Sequence, residues 1–183
     1  MTASLFALTA FAVLLSAGVV HVVPRARFRE VLLEQSVVPR RLIAPVAGAV
    51  AGAELAIGAA GVAAAILVGK QAQLFAFAAG ALFIAFTVYA AVLLRRGGAS
   101  PCGCAAADYP VNIWVVVRAA VLAVASIAAA AAPHFVAIAA MSASDAAVAL
   151  VAALTFSILV WVFPDALADP LQMPLVRTAL AKR

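Results

Sequence analysis

Long apolar runs alternate with short polar segments along the whole chain, and this pattern predicts helices that cross a bilayer. Five such runs occur, at residues 3–23, 43–69, 74–94, 111–132 and 145–163. A membrane-spanning helix needs about 20 mostly apolar residues at a rise of about 1.5 Å per residue. The pattern therefore predicts an all-α, polytopic membrane bundle of five transmembrane helices, or of four if the last run is peripheral.

The polar segments predict how these helices are connected. No Lys or Arg precedes the first run, so we expect a retained helix rather than a signal peptide. Residues 24–42 mix apolar and charged positions, which is typical of an amphipathic segment on the membrane surface. Residues 95–110 are rich in Gly and Pro and predict a loop. Pro164 is expected to end the last helix, so that the bundle covers 1–164 and a polar tail covers 165–183.

Composition excludes a water-soluble domain. Of the 183 residues, 68% are apolar and only 10% are charged. Soluble domains carry about 45–50% apolar and about 25% charged residues, so too few polar side chains are available here to cover a soluble surface. The net charge of +5 then indicates loop topology and contact with membrane lipid, and we predict no nucleic-acid partner.

The basic residues predict an orientation in the membrane. With five spans, ten of the twelve Lys and Arg residues fall on one side: Arg25, Arg27, Arg29, Arg40, Arg41, Arg95, Arg96, Arg177, Lys182 and Arg183. Because cytoplasmic loops carry the excess of Lys and Arg, the N-terminus is expected outside, with the 95–110 loop and the C-terminus in the cytoplasm. A reducing compartment disfavours a permanent structural disulfide there.

Both cysteines of the chain lie in that loop, as Cys102-Gly103-Cys104. Two thiols separated by one residue close a strained ring, which is easy to reduce, and Gly103 tolerates the backbone angles that such a ring requires. The spacing favours a redox-active dithiol that exchanges with the thiols of a partner protein or of a small molecule. Two alternatives stay open: small apolar residues in an Ala-rich loop, or a weak metal-capturing pair.

Two charges interrupt the apolar runs. Glu54 is expected about 16 Å and Arg118 about 10 Å from the same membrane face. An unpaired charge in hydrocarbon costs at least about 2.5 kcal/mol, so we expect these side chains to face the bundle interior and to pair with each other. A cation below the cysteine loop favours thiolate over thiol. The alternative is a buried pair that only fixes helix packing.

The two histidines are weaker candidates. His21 ends the first span on the side of the cysteine loop, where it is a candidate proton carrier. A wetted interfacial position is the more frequent role for such a residue. His134, beside Pro133 on the opposite side, is given no role.

Aromatic and small residues have ordinary explanations in a membrane bundle. We assign an interfacial aromatic belt, with quinone stacking as a minor alternative, to Tyr89, Tyr109, Trp114 and Trp161. Close helix contact is expected at Gly48, Gly52, Ala56 and Ala59. We predict no cofactor and no metal, because two Cys and two His that are far apart do not suggest a four-ligand site.

In their order and spacing, these features resemble the MauE/DoxX-like family of bacterial membrane proteins, specifically its methylamine utilisation protein MauE branch. The resemblance is carried by His21, Phe28, the segment 37–62 with Glu54, PCGC at 101–104, and NIWVVVRAAVLAV at 112–124 with Arg118. The family usually continues the cysteines with Phe and Gly, where this chain has Ala105 and Ala106. It also commonly has Lys near the end of the first span, where this chain has His21.

The resemblance implies a protein of the bacterial inner membrane that is linked to thiol or disulfide handling. Family members in methylamine operons are associated with maturation or export of the disulfide-rich small subunit of methylamine dehydrogenase. We therefore expect Cys102 and Cys104 to exchange electrons, supported by Arg118, Glu54 and His21. The alternatives are a scaffold subunit of a membrane complex, which depends on Gly48 and Gly52, and a small transporter that uses Glu54 and Arg118. Oligomeric state is left open.

Overall fold

A computed structural model describes residues 2–96 and 111–167. In these residues the chain forms no strand and folds into six α-helices: α1 (Thr2–Val22), α2 (Arg25–Gln35), α3 (Ile43–Leu67), α4 (Ala72–Arg95), α5 (Ile113–Ala130) and α6 (Ala143–Ala166). All except α2 are long and apolar enough to cross a membrane. The prediction of an all-α membrane bundle is confirmed, with five candidate spans. Cys102, Cys104 and Tyr109 lie outside the described residues, as does the tail from 168 to 183.

The first helix forms the centre of the bundle. Helix α1 packs against α3, α4, α5 and α6, and it is the most buried of the five spans. Its core side chains, such as Phe11 and Leu14, are fully buried among small and aliphatic residues of the neighbouring helices. Because α1 has partners on several sides, apolar residues occupy almost its whole circumference.

Glycines allow α1 and α3 to approach each other closely. A Cβ atom added at Gly58 would lie 2.7 Å from the backbone nitrogen of Leu15, and one at Gly61 would lie 2.5 Å from the ring of Phe11. The prediction of close helix contact at Gly48, Gly52, Ala56 and Ala59 was wrong. A Cβ at Gly48 or Gly52 would meet nothing within 4 Å, and Ala56 and Ala59 are exposed. The physical reason is helical phase, since these four residues lie on the face of α3 turned away from α1.

This contact predicts a large difference between two glycine positions on the same helix. Gly58→Leu forces a side chain against the backbone of α1 and is expected to lower the free energy of unfolding by about 1–3 kcal/mol or more. Gly52→Leu places the same side chain in open space and is expected to have little effect. Unfolding of both variants in detergent checks this. Equal losses at the two positions would contradict the helix packing described here.

The turn between α3 and α4 requires a glycine. Gly69 has a φ of +66°, and its N–H donates to the carbonyl of Ala64 at 2.9 Å. A Cβ at this position would lie 3.1 Å from the backbone nitrogen of Ala137. Gln73 lies in the first turn of α4, and its amide donates to the carbonyl of Ala132 at 2.6 Å. The α3–α4 turn therefore contacts the α5–α6 connection.

The two ends of the bundle are distinct. At the first, the Ser4 hydroxyl donates to the carbonyl of Val136 at 2.8 Å, which joins the start of α1 to the α5–α6 connection. At the other, called the α2 end below, α1, α4 and α6 terminate and α3 and α5 begin. There Asn112 caps α5, and its amide donates to the carbonyl of Pro164 at 3.4 Å.

Helix α6 does not end at Pro164, contrary to prediction. It continues through this proline to Ala166. A proline removes one intrahelical hydrogen bond, which costs less near the end of a helix than in its middle.

Candidate functional site

A buried hydrogen bond between two titratable side chains joins α1 to α3 at the α2 end. His21 lies in the last turn of α1, and Glu54 lies in the middle of α3. The Nδ1 atom of His21 is 2.6 Å from Oε2 of Glu54. The two residues are only 6% and 1% exposed, respectively. Antiparallel packing of α1 against α3 brings the two side chains together. One turn before His21 on α1, Gly18 lies directly against Leu55, the residue after Glu54 on α3.

The helices are staggered along the bundle, and this stagger decides which side chain Glu54 meets. The first turns of α3, with Ile43 and Ala47, extend past the end of α1 and pack against Leu32 of α2. Glu54 is about 16 Å along α3, yet it is level with the last turn of α1. Glu54 therefore meets the imidazole of His21, on which Phe28 of α2 stacks.

Helix α2 covers this pair. The ring of Phe28 stacks on the imidazole of His21, with centroids 4.0 Å apart and planes 13° from parallel. Val31 and Leu32 are buried, whereas Arg29 and Glu30 are exposed, so α2 presents one apolar face to the bundle. The apolar face accounts for the mixture of charged and apolar residues in this segment.

The far end of α2 is attached to the end of α4. The hydroxyl of Tyr89 donates to Oε1 of Gln35 at 2.6 Å, and Nη1 of Arg96 donates to the carbonyl of Ser36 at 3.4 Å. Ser36 ends α2 in the left-handed conformation, with a φ of 51°, and its hydroxyl donates to the carbonyl of Leu33 at 3.1 Å. These contacts hold the end of α2 beside Arg96, the residue that precedes the segment 97–110.

Two expectations about the charged residues were wrong. Glu54 pairs with His21 and not with Arg118, which is half-buried on α5 and has no carboxylate within ion-pair distance in the described parts of the chain. His21 is buried and not a wetted interfacial residue. The reason is the stagger of the helices, which brings the last turn of α1 to the level of Glu54.

The remaining candidate residues lie apart from this pair. His134 is exposed at the opposite end of the bundle. Trp114 packs edge-on against Phe163 at 5.5 Å, and Trp161 packs against the apolar core. Within residues 2–96 and 111–167, no group of three or more His, Cys, Asp and Glu residues is arranged to hold a metal ion.

The comparisons with known proteins identify the family. The family model described as "Methylamine utilisation protein MauE" matches residues 1–134. The chain belongs to this family. No curated protein and no solved structure shows significant similarity to it. The matched region of this MauE family member contains α1 to α5, and with them His21, Glu54 and Arg118. Family and helix composition together indicate a multi-pass membrane protein.

In this MauE family protein, the contacts around the pair at the α2 end fix the position of the His21 imidazole. A carboxylate beside one ring nitrogen holds the imidazole in one orientation. The stacked Phe28 and the covering helix exclude water from one side of the ring. The Gln35–Tyr89 contact was not predicted from the sequence. The signal for it is that Gln35 is a polar residue on the same face of α2 as the buried Val31 and Leu32.

Proposed function

We propose that this protein is a membrane-embedded thiol/disulfide redox accessory protein of the MauE type, in which Cys102 and Cys104 exchange electrons with a partner protein. The observation that carries this proposal is the buried His21–Glu54 pair, because it lies at the end of the bundle from which the cysteine segment extends. Cys102 is six residues after Arg96, and Cys104 is seven residues before Val111. An extended chain covers at most about 3.6 Å per residue, so both thiols are tethered within about 25 Å of the α2 end.

The proposed reaction is thiol–disulfide exchange. A thiolate of the partner attacks the Cys102–Cys104 disulfide, the bond between these two sulfurs breaks, and a mixed disulfide forms. The second partner thiol then attacks the mixed disulfide. The partner leaves with a new disulfide, and Cys102 and Cys104 leave as thiols that have taken up two electrons and two protons. The reverse sequence oxidises the pair and reduces the partner.

Residues of the bundle support this exchange in the proposal. His21, held by Glu54, accepts or returns the proton that moves when a thiol becomes a thiolate. Arg118 lies seven residues after Val111 and is half-buried without an acidic partner in the described residues. Its positive charge favours the thiolate form of a nearby cysteine.

The proposed partner is a protein with thiols or a disulfide, such as the small subunit of methylamine dehydrogenase, before or during its export. The proposed location is the bacterial inner membrane, with the α2 end towards the cytoplasm. The excess of arginine at this end supports that orientation.

Differential alkylation in native membranes tests the proposal. Free thiols are blocked with one reagent, the sample is reduced, and the released thiols are labelled with a heavier reagent. We expect Cys102 and Cys104 to change state together when membranes are treated with a dithiol or an oxidised dithiol. Thiols that keep one state under all these conditions would refute the exchange function. A membrane-impermeant reagent in a parallel sample reports the side of the membrane.

A further inference from the structure

Four exposed arginines surround the connection between α2 and α3. Arg40 and Arg41 immediately precede α3, and Arg95 and Arg96 end α4. The hydrogen bond from Arg96 to the carbonyl of Ser36 joins these two places, because Ser36 is only four residues before Arg40. We call these four residues the arginine cluster.

The positive charge of the arginine cluster is not neutralised by the described part of the chain. Within residues 2–96 and 111–167, none of the four guanidinium groups lies within 4.0 Å of a carboxylate. The acids at the α2 end of the described chain are Glu30 and Glu34, which are exposed on α2 but form no ion pair with the cluster, and Glu54, which is buried and paired with His21. Positive charge at this end of the bundle without a paired carboxylate favours an anion bound from outside the chain.

The position of the cluster in the membrane indicates which anion this is. The candidate span that contains α3 begins at Arg40, and the span formed by α4 ends at Arg95, so we infer that the cluster lies near the boundary between the hydrocarbon layer and the headgroups. Leu42 and Ala44, which follow the two arginines, are exposed and form an apolar surface next to the cluster. A guanidinium group above an apolar surface fits a ligand with a phosphate and an acyl chain.

We propose that the arginine cluster binds the headgroup phosphate of an anionic phospholipid, which bridges the α2–α3 connection and the end of α4. Bound there, the lipid adds a further link between the end of α2 and α4 beside the Tyr89–Gln35 and Arg96–Ser36 hydrogen bonds. It therefore holds α2 over the His21–Glu54 pair. This inference does not depend on the thiol chemistry of the loop.

Lipid binding by the purified full chain tests the proposal. The chain is mixed in detergent with phosphatidylglycerol or phosphatidylcholine, and bound lipid is counted by native mass spectrometry, with thermal unfolding measured in parallel. We expect wild type to retain phosphatidylglycerol over phosphatidylcholine and to be stabilised by it. The Arg40→Gln/Arg41→Gln variant is expected to lose at least about fivefold of this preference, since each arginine near an anionic surface contributes about 1 kcal/mol.

The controls separate the lipid from other ligands and from unfolding. Lys70→Gln neutralises an exposed cation at the opposite end of the bundle and is expected to leave the preference unchanged. Arg95→Gln/Arg96→Gln repeats the test at the other half of the cluster. Equal lipid preference in wild type and both double variants would overturn the proposal. So would displacement of the lipid by inorganic phosphate at the same concentration, which would indicate a site for a free anion.

Discussion

The substitutions His21→Leu and Glu54→Leu are each expected to lower the free energy of unfolding by about 3–5 kcal/mol. Either change leaves the other member of the 2.6 Å pair buried without this partner. A buried carboxylate that loses its partner must be neutralised or must unfold its surroundings to reach water. Unfolding of the full chain in detergent, followed by circular dichroism, measures the loss.

The double variant is expected to recover most of this stability. In His21→Leu/Glu54→Leu, two leucines occupy the space between α1 and α3, and replacing a buried ion pair by apolar residues is often neutral or stabilising. We expect it to unfold within about 1 kcal/mol of wild type. Glu54→Gln serves as the conservative control, because its amide can still hydrogen-bond to the imidazole. Additive losses in the double variant would show that the two side chains do not act as a pair.

Thiol exchange is expected to disappear in Cys102→Ser and in Cys104→Ser, because each variant lacks one sulfur of the only pair in the chain. Reduction of a disulfide-containing probe peptide by membranes with the full chain provides the assay. Ala105→Ser is the matched control in the same loop, since it adds a hydroxyl and leaves both sulfurs in place. Exchange at the wild-type rate in either cysteine variant would contradict the proposed role of the pair.

The same assay separates the chemical role of the His21–Glu54 pair from its structural role. If His21 moves the proton, the His21→Leu/Glu54→Leu variant is folded but exchanges about a hundredfold more slowly than wild type at neutral pH. Its rate should also lose the pH dependence that the imidazole contributes. A folded double variant with the wild-type rate and pH profile would leave the pair with a packing role only.

The helical bundle could be predicted from the sequence because bilayer-spanning helices depend on local composition. Each of the five runs is long and apolar, and a helix satisfies all its backbone hydrogen bonds within one segment. Pro164 shows where such local reasoning is incomplete. A proline is a strong local stop signal, but the last turn of α6 tolerates it.

The pairing of side chains at the site could not be predicted in the same way. The residues themselves, His21, Glu54 and Arg118, stand out because charges are rare in apolar runs. Which of them meet depends on the stagger of α1 against α3, and this stagger depends on contacts at Gly58 and Gly61 that composition does not distinguish from Gly48 and Gly52. Depth counted along each helix alone therefore does not show which of these side chains meet.

Capture of a mixed disulfide tests the central claim most directly. In a chain with Cys104→Ser or Cys102→Ser, the remaining thiol has no neighbour to release a bound partner, so a covalent adduct should accumulate in native membranes. We expect at least one single variant to form a larger species on a non-reducing gel that reductant removes, and we expect none from the variant that lacks both cysteines. Absence of an adduct from both single variants would contradict thiol exchange as the function of this protein.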